Sequence, residues 1–259
     1  MATKTKLKLK KECFSDFVDK LTDLTAISDT IKLKIDNKHI MMYSTLGGQV
    51  LLAFKNYLLD TKEYLDYEDL EYSIDVVIVN AKKFVKNLNF LMQSDKLTID
   101  ITHKASPDDE SVMIARGIQI NGGRLKVNWI AGEHYEIRDI DKSILQERLD
   151  IRLRKWNFII EKADFTDIKK MSTINDGKLL NISASNGKVT ISESAAWELQ
   201  IADCDPDKNS NMILNKKFLK SIDDSKDVDF SIFENFMLVK DENTNLMLSY
   251  EQDFSEEDE

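Results

Sequence analysis

The segments KKFVK, at residues 82–86, and KKFLK, at residues 216–220, are nearly identical and lie about half of the 259-residue chain apart. Similar elements flank the two segments in the same order, which indicates a duplicated half-length unit. Around the first segment, apolar residues recur with the period of a helix, so its three lysines project from the opposite side. The sequence therefore predicts two related halves, each presenting a helix with a lysine face.

The composition predicts a folded protein in a reducing compartment. Hydrophobic residues make up 42% of the chain, with only 8 glycines and 2 prolines, so each half can form a core. No apolar run reaches the ~18 residues of a membrane-spanning helix, and no apolar stretch follows the basic N-terminus as in a secretory signal. The two cysteines, Cys13 and Cys204, lie far apart in the sequence.

The charge distribution carries more information than the net charge. A net charge of -10 and a pI of about 5.0 argue by themselves against a nucleic-acid-binding protein. Acidic residues cluster at 60–71 and 256–259, whereas lysines cluster near the N-terminus and in the two repeated segments. This pattern predicts an acidic outer surface and a basic inner one. The alternative is a set of charges that only keeps the protein soluble.

Hydrophobic periodicity predicts the order β-α-β-β-β-…-β-α-β-β-β in each half. The pair Asn186-Gly187 indicates a tight hairpin in the second half. Because each helix has one apolar side, both helices of a half are expected to pack on a mainly antiparallel sheet. The predicted class is α+β. The predicted helices begin near Phe14, Ala81, Asp164 and Lys216.

This tandem arrangement resembles the sliding clamps of DNA replication. It is similar to the two-domain, trimer-forming clamps of eukaryotes, archaea and tailed phages, and the ending LMLSYEQDF at 246–254 favours a viral member. The resemblance covers roughly residues 6 to 254. It implies a ring of three subunits with sheets outside and helices lining a channel for duplex DNA. The implied parts are a clamp domain at 1–130, a connector at 131–150, a second clamp domain at 151–254 and an acidic tail at 255–259.

The resemblance implies that channel lysines contact DNA phosphates without reading sequence. Lysine suits loose contacts because its ammonium is a compact point charge on a flexible stem. The lysines of the first helix rank lowest, because Asp16 and Asp19 share its solvent side. The predicted DNA-contacting residues are Lys82, Lys83, Lys86, Lys216, Lys217, Lys220, Lys169, Lys170, Lys10, Lys11 and Lys20.

The resemblance also implies a pocket that binds peptide tails of DNA polymerase and other partners, and a seam between subunits formed by edge strands. The pocket candidates are Met41, Met42, Tyr43, Ile137, Ile140, Tyr250 and Phe254. The seam candidates are Leu125, Val127, Trp129, Trp197, Leu199 and Ile201. Two other interpretations stay open, namely that residues 41–43 are ordinary strand core and that Phe254 belongs to a frayed end. An ATP-driven clamp loader is the remaining implied partner.

No catalytic or metal-binding pattern emerges from the sequence. The three histidines are scattered, without the spacing of a metal pair. The acidic spacing at 203–207 is similar to the start of a calcium loop, but Lys208 stands where such a loop needs glycine. We therefore expect a protein without catalysis, cofactor or metal, acting at replicating DNA inside a cell, in the host cytoplasm if viral. The alternatives are an acidic two-domain scaffold that does not encircle DNA and an enzyme built from carboxylates that the sequence does not bring together.

Overall fold

The computed structural model describes residues 3–47, 52–66, 70–91, 97–109, 111–140, 150–194, 196–241 and 244–250. The chain divides into two compact units. The first comprises Met1–Leu46 and Phe54–Ile140, and the second comprises Gly47–Ala53 and Asp141–Glu259. The pocket candidate Phe254, the acidic tail and residues 141–149 of the predicted connector lie outside the described residues.

The first unit follows the predicted order of elements. Its helices are α1 (Phe14–Leu24), α2 (Thr61–Tyr64) and α3 (Ala81–Leu91), with short 3-10 turns at Lys11–Cys13 and His134–Glu136. Its strands are β1 (Thr3–Leu9), β2 (Thr30–Ile35), β3 (His39–Leu46), β4 (Ala53–Asp60), β5 (Leu65–Asp66), β6 (Ser73–Val79), β7 (Leu97–Ala105), β8 (Val112–Gly122) and β9 (Leu125–Ile130). Within the acidic cluster at 60–71, residues 60–66 form the end of β4, α2 and β5.

The second unit repeats this order without counterparts of α2 and β5, and a short 3-10 segment takes the place of α3. Its helix is α4 (Lys162–Ile174), and 3-10 turns occur at Ile151–Leu153 and Lys216–Ser221. Its strands are β10 (Trp156–Ile160), β11 (Leu179–Ser185), β12 (Lys188–Glu193), β13 (Trp197–Asp203), β14 (Ser210–Asn215), β15 (Val228–Ile232), β16 (Phe236–Asp241) and β17 (Thr244–Ser249). Asn186 and Gly187 both have positive φ, at 51° and 77°, and form the predicted hairpin turn.

Strand pairing repeats as well as strand order. In the first unit the order β4-β3-β2-β6 matches β13-β12-β11-β14 in the second, and β9-β8-β7-β1 matches β17-β16-β15-β10. A parallel pairing of β6 with β8 joins the two sets of the first unit. The α+β class and the duplicated, mainly antiparallel architecture predicted from the sequence are therefore confirmed.

The helices α1 and α3 are each held against the sheet by their apolar side. Phe17 and Leu21 of α1 and Phe84, Leu88 and Leu91 of α3 are all buried in one continuous core with the sheet. Burying a side chain of this size contributes about 1.5–3 kcal/mol relative to leaving it exposed. The lysines of α3 must therefore face away from the core.

A buried lysine fixes residues 139–140 against the sheet of the first unit. The Lys32 side chain is 2% exposed, and its Nζ lies 2.9 Å from Asp75 Oδ2 and 2.9 Å from Asp139 Oδ1. The Tyr43 hydroxyl donates to Asp139 Oδ1 at 3.0 Å and accepts from the Ile140 amide at 3.3 Å. Because a buried ammonium is stable only when it is paired, these contacts hold the segment in one position.

The protonation states of this cluster reinforce its contacts. Burial and the negative charge of Asp139 raise the pKa of the Tyr43 phenol, so it remains a hydrogen-bond donor. Burial disfavours the Asp139 carboxylate, but hydrogen bonds from Lys34 and Lys32 hold the pKa of its carboxyl group well below the usual range. At neutral pH the Asp139 carboxyl group is therefore charged and the Tyr43 phenol is neutral.

Replacing Lys32 with Met is expected to lower the free energy of unfolding by about 3 kcal/mol, because the partly buried Asp75 loses its counter-charge. The matched control is Lys34→Met, since Lys34 is more exposed and pairs with the outward-facing Asp139 at 2.7 Å. This control is expected to cost at most about 1 kcal/mol. Urea unfolding at pH 7 measures both, and equal losses would contradict the role given to Lys32.

Candidate nucleic-acid interface

Asp29 sets the position at which α3 begins. Its carbonyl accepts a hydrogen bond from the Ala81 amide at 3.0 Å, and its Oδ1 accepts one from the Lys82 amide at 2.8 Å. Asn80 has φ of 54°, a left-handed conformation that asparagine tolerates, and its carbonyl accepts from the Phe84 amide at 3.1 Å. A carboxylate is favourable here because the first amides of a helix lack partners within it.

The lysine face predicted for α3 is present. Lys82, Lys83 and Lys86 are exposed, and within the described residues none of their ammonium groups forms an ion pair. On the opposite side, the Phe84 ring packs edge-on against Trp129 of β9 with ring centroids 5.4 Å apart. Three unneutralised positive charges therefore stand on one side of a firmly packed helix.

The second lysine segment differs from the prediction of a regular helix. It is a six-residue 3-10 helix, Lys216–Ser221. It begins as α3 does, because the Lys216 amide donates to the carbonyl of Lys178, the residue that precedes β11, just as Asp29 precedes β2. Polar residues follow Ile222, whereas α3 continues with buried Leu88 and Leu91, so the apolar stripe supports only a short segment.

Lys216 does not share the exposed face of this segment, which corrects the prediction. Its Nζ lies 2.7 Å from Glu193 Oε1, and its side chain is 17% exposed. Glu193 is itself buried and also accepts a hydrogen bond from Trp197 Nε1 at 3.2 Å. A buried carboxylate requires such a counter-charge, so Lys216 anchors the turn. Lys217 and Lys220 remain exposed.

The candidate lysines of α4 are already paired with acids. Lys169 Nζ lies 3.2 Å from Asp224 Oδ2. Lys170 Nζ lies 3.0 Å from Asp167 Oδ1. Both pairs are partly exposed and contribute little to stability, but they reduce the positive potential that this helix presents.

The lysines near α1 also have partners, as its acidic residues suggested. Lys20 pairs with Asp16 on the same helix and is largely covered. Lys10 donates through its ammonium to the carbonyl of Lys62, and Lys11 is exposed. The strongest concentration of unpaired positive charge among the described candidates is therefore on α3.

Five of the pocket candidates are core residues instead of pocket walls. Met41, Met42, Tyr43, Ile137 and Ile140 are all buried within the first unit. The reason is that β3 is covered on both sides and that Tyr43 is committed to Asp139 and Ile140, as described above. For residues 41–43 this burial agrees with the alternative of ordinary strand core, and a docking role for the five residues stays a prediction.

Tyr250 is likewise committed within the second unit. Its hydroxyl donates to the carbonyl of Phe236 at 2.8 Å, which ties the end of the described chain to β16. Its pKa is raised by burial. The phenol therefore acts as a structural donor at this position.

The seam candidates lie on strands that end a sheet. Among the described strands, β9 pairs only with β8, and β13 pairs only with β12. Leu125 is 47% exposed, whereas Val127 and Trp129 are half-buried. On β13, Leu199 is half-buried. Trp197 and Ile201 are buried within their own unit, so their side chains are not available at a seam.

Two residues of this interface were missed in the sequence. Asp29 has no local signal, because its partner amide is 53 positions away. Phe90 lies on the exposed side of α3 and could have been found from its spacing of four residues after Lys86.

Within the part of the chain that the structure describes, neither a metal-binding cluster nor a membrane-spanning helix is present. No group of three or more histidine, cysteine or acidic side chains is arranged to hold a metal ion there. None of the described helices is long and apolar enough to cross a membrane.

The architecture is similar to that of known sliding clamps. No protein-family model matches the sequence, and no curated protein matches it. DNA polymerase III subunit beta from Borrelia burgdorferi superposes with a TM-score of 0.66 at 10% identity, over 95% of this chain and 65% of that one. The Bacillus subtilis sliding clamp superposes with a TM-score of 0.65 at 12% identity, over 98% of this chain and 67% of that one.

A structurally similar protein that is shorter than the bacterial subunits matches over its whole length. Proliferating Cellular Nuclear Antigen from Entamoeba histolytica gives a TM-score of 0.61 at 14% identity, over 97% of this chain and 100% of that one. This chain thus spans about two thirds of the bacterial subunits and the full length of the Entamoeba protein. These likenesses establish the sliding-clamp fold.

Replacing Asp29 with Ala is expected to lower the free energy of unfolding by about 1 kcal/mol, because the Lys82 amide loses its acceptor. Asp29→Asn is the control, since it keeps an acceptor oxygen and should cost less. Urea unfolding gives the stability, and hydrogen exchange at the Lys82 amide reports the local effect. Unchanged exchange in Asp29→Ala would contradict the role of Asp29.

Proposed function

We propose that this protein is a sliding clamp, a ring that encircles duplex DNA and tethers a DNA polymerase for processive synthesis. The observation that carries the proposal is the unpaired lysine face of α3, set on the first of two units with the same strand pairing. Known clamps with this fold supply the second support. The assignment of activity and partners to this chain is our inference from these two facts.

The chemistry of the lysine face suits a protein that moves along DNA. Phosphates recur along the duplex at every base pair, so lysine contacts give affinity without sequence preference. Individual ammonium–phosphate contacts are weak and interchangeable. The net charge of -10 would discourage binding of DNA to the rest of the surface.

The proposed ring is a homotrimer closed by edge strands. In this proposal β9 of one subunit adds to β13 of the next, because both strands have an unpaired edge among the described strands. Edge strands carry rows of free backbone donors and acceptors, which a second strand satisfies. Of the seam candidates, Leu125 and Leu199 have side chains that can take part.

Further parts of the proposal follow from the clamp assignment. The partners are a DNA polymerase and an ATP-driven loader that opens the ring, and the protein itself has no catalytic activity. The proposed divisions of the chain are 1–130, 131–150, 151–254 and 255–259. The site of action is replicating DNA, in the host cytoplasm if the protein is viral.

One alternative deserves a test because of the acidic net charge. An acidic two-domain scaffold would bind proteins and would never encircle DNA. In that case the lysines of α3 would only be solvated, as exposed lysines usually are. The two hypotheses differ in what charge reversal on α3 does.

Reversing the charges of α3 in Lys82→Glu/Lys83→Glu/Lys86→Glu is expected to weaken binding to duplex DNA strongly at moderate salt, while leaving binding at low salt that is measurable. Each lost phosphate contact reduces the magnitude of the slope of log affinity against log salt by about 0.9. The slope of the variant should therefore be shallower by about 2–3. Fluorescence anisotropy with a labelled duplex at several salt concentrations measures this. The length of product made by a tethered polymerase should fall in parallel.

The matched control reverses three exposed lysines elsewhere, in Lys38→Glu/Lys104→Glu/Lys188→Glu. The net-charge change is the same, but these lysines lie outside α3. This variant should therefore lose much less affinity for duplex DNA, and its salt dependence should change little. Equal effects of the two triple variants would favour a general charge effect and the scaffold hypothesis.

Light scattering is expected to give a mass of about three times 29.9 kDa for the wild-type protein. Leu125→Glu or Leu199→Glu should shift the mass to that of the monomer, because an unpaired carboxylate would be buried at the seam. Ile159→Glu is the control, since Ile159 is exposed on β10, an edge strand outside the proposed seam. Loss of the trimer only in Ile159→Glu would place the seam on β10.

A further inference from the structure

An aromatic ring stands among the unpaired lysines of α3. Phe90 is 80% exposed, although the core positions of the helix are fully supplied by other residues. At ~100° per residue, Phe90 projects within ~20° of Lys83 and ~40° of Lys86. It lies one turn beyond Lys86, so the ring continues the lysine face towards the end of the helix.

The surroundings of Phe90 limit what can cover the ring. A ligand that contacts it must also lie beside Lys83 and Lys86, which form no ion pairs among the described residues. The ligand therefore combines negative charge with a flat or apolar surface. Nucleic acid has both, since phosphates pair with lysine and the faces of bases stack on aromatic rings.

Duplex DNA and single-stranded DNA differ in whether the faces of their bases can reach the Phe90 ring. In a duplex, the faces of the bases are covered by their neighbours, and only base edges are open in the grooves. An unpaired base has a free face that can stack on a phenyl ring. A lysine face needs only phosphates, but an exposed ring beside it gains most from an unpaired base.

We propose that Lys83, Lys86 and Phe90 form a binding site for single-stranded DNA, with one unpaired base stacked on the Phe90 ring and adjacent phosphates on the lysines. This inference rests on the proposed DNA-binding face and narrows its ligand. On a clamp, such a site would hold the single strand where it leaves the duplex at a primer–template junction.

A second exposed residue provides a matched comparison within the chain. Ile174 is 79% exposed at the end of α4 and follows Lys170 by the same four residues. Lys170, however, is paired with Asp167 at 3.0 Å, and the side chain of Ile174 has no aromatic face. Ile174→Ala therefore removes an equally exposed apolar side chain from a charge-balanced surface.

The test measures anisotropy of labelled oligothymidylate of about 20 nucleotides, long enough to cover the site, against a blunt duplex of equal length. The full-length chain is used at low salt. Phe90→Ala is expected to weaken binding to the single strand by about 5- to 150-fold, the range for loss of one stacked base. Its affinity for the duplex should change by less than about twofold.

Three further variants define the interaction. Phe90→Trp keeps a stacking surface and should retain binding to the single strand, whereas Phe90→Leu keeps only apolar area and should weaken it as Phe90→Ala does. Ile174→Ala should leave both affinities unchanged. Circular dichroism of each variant establishes that α3 and α4 remain folded.

Several results would overturn the proposal. The first is failure of the wild-type chain to bind oligothymidylate, and the second is a single-strand affinity of Phe90→Ala within twofold of wild type. The third is an equal loss of affinity for single strand and duplex in Phe90→Ala, which would indicate an apolar contact in a duplex groove. Wild-type behaviour of Phe90→Leu would also exclude stacking. Duplex binding by the α3 charge-reversal variant tests the clamp proposal separately, so either proposal can fail while the other stands.

Discussion

The apolar stripe of α3 is the constraint on which the candidate interface depends. Phe84, Leu88 and Leu91 are buried against the sheet, and the helix cannot turn without exposing them. Rotation would cost about 1.5–3 kcal/mol for each side chain brought into water. The lysines are thus held outward by the core on the other side of the helix, and among the described residues their ammonium groups form no ion pair.

The same residue type has opposite roles in different surroundings. Lys32 is buried and Lys216 is largely covered, and both lie beside carboxylates and act as structural ions. Lys82 and Lys86 are exposed and unpaired among the described residues. Burial makes a counter-charge obligatory, because an ammonium that leaves water loses its hydration. Exposure leaves the charge free to attract an anion. Counting lysines therefore does not locate an anionic ligand, and their partners must be known.

The duplication extends from strand order to the way each lysine segment begins. In both units the first amide of the segment donates to the carbonyl just before a matching strand, from Asp29 or from Lys178. The second copy lacks the later apolar positions and is only six residues long, and its Lys216 points inward to Glu193. The two units have thus kept a common backbone arrangement while their charged surfaces have diverged. Among the described residues, the α3 surface therefore carries the larger set of exposed and unpaired lysines.

Much of the fold was predictable because it depends on local periodicity. The alternating strands, the apolar side of Phe14–Leu24 and Ala81–Leu91, and the Asn186-Gly187 turn are each written in a few consecutive residues. The repeat then predicted two similar units and pointed to the sliding-clamp fold. The exposed lysines of α3 followed from the same helical spacing.

The tertiary structure decided which of the candidate residues are accessible. Met42 and Tyr43 are buried by residues from other parts of the chain. Three further contacts also depend on residues far apart in the chain: the pairing of Lys169 with Asp224, the anchoring of Lys216 by Glu193 and the capping of α3 by Asp29. The sequence by itself determined the elements and their order, because hydrophobic spacing acts within a helix or a strand. Only the folded chain decided which charges are neutralised, because ion pairing depends on distances in space.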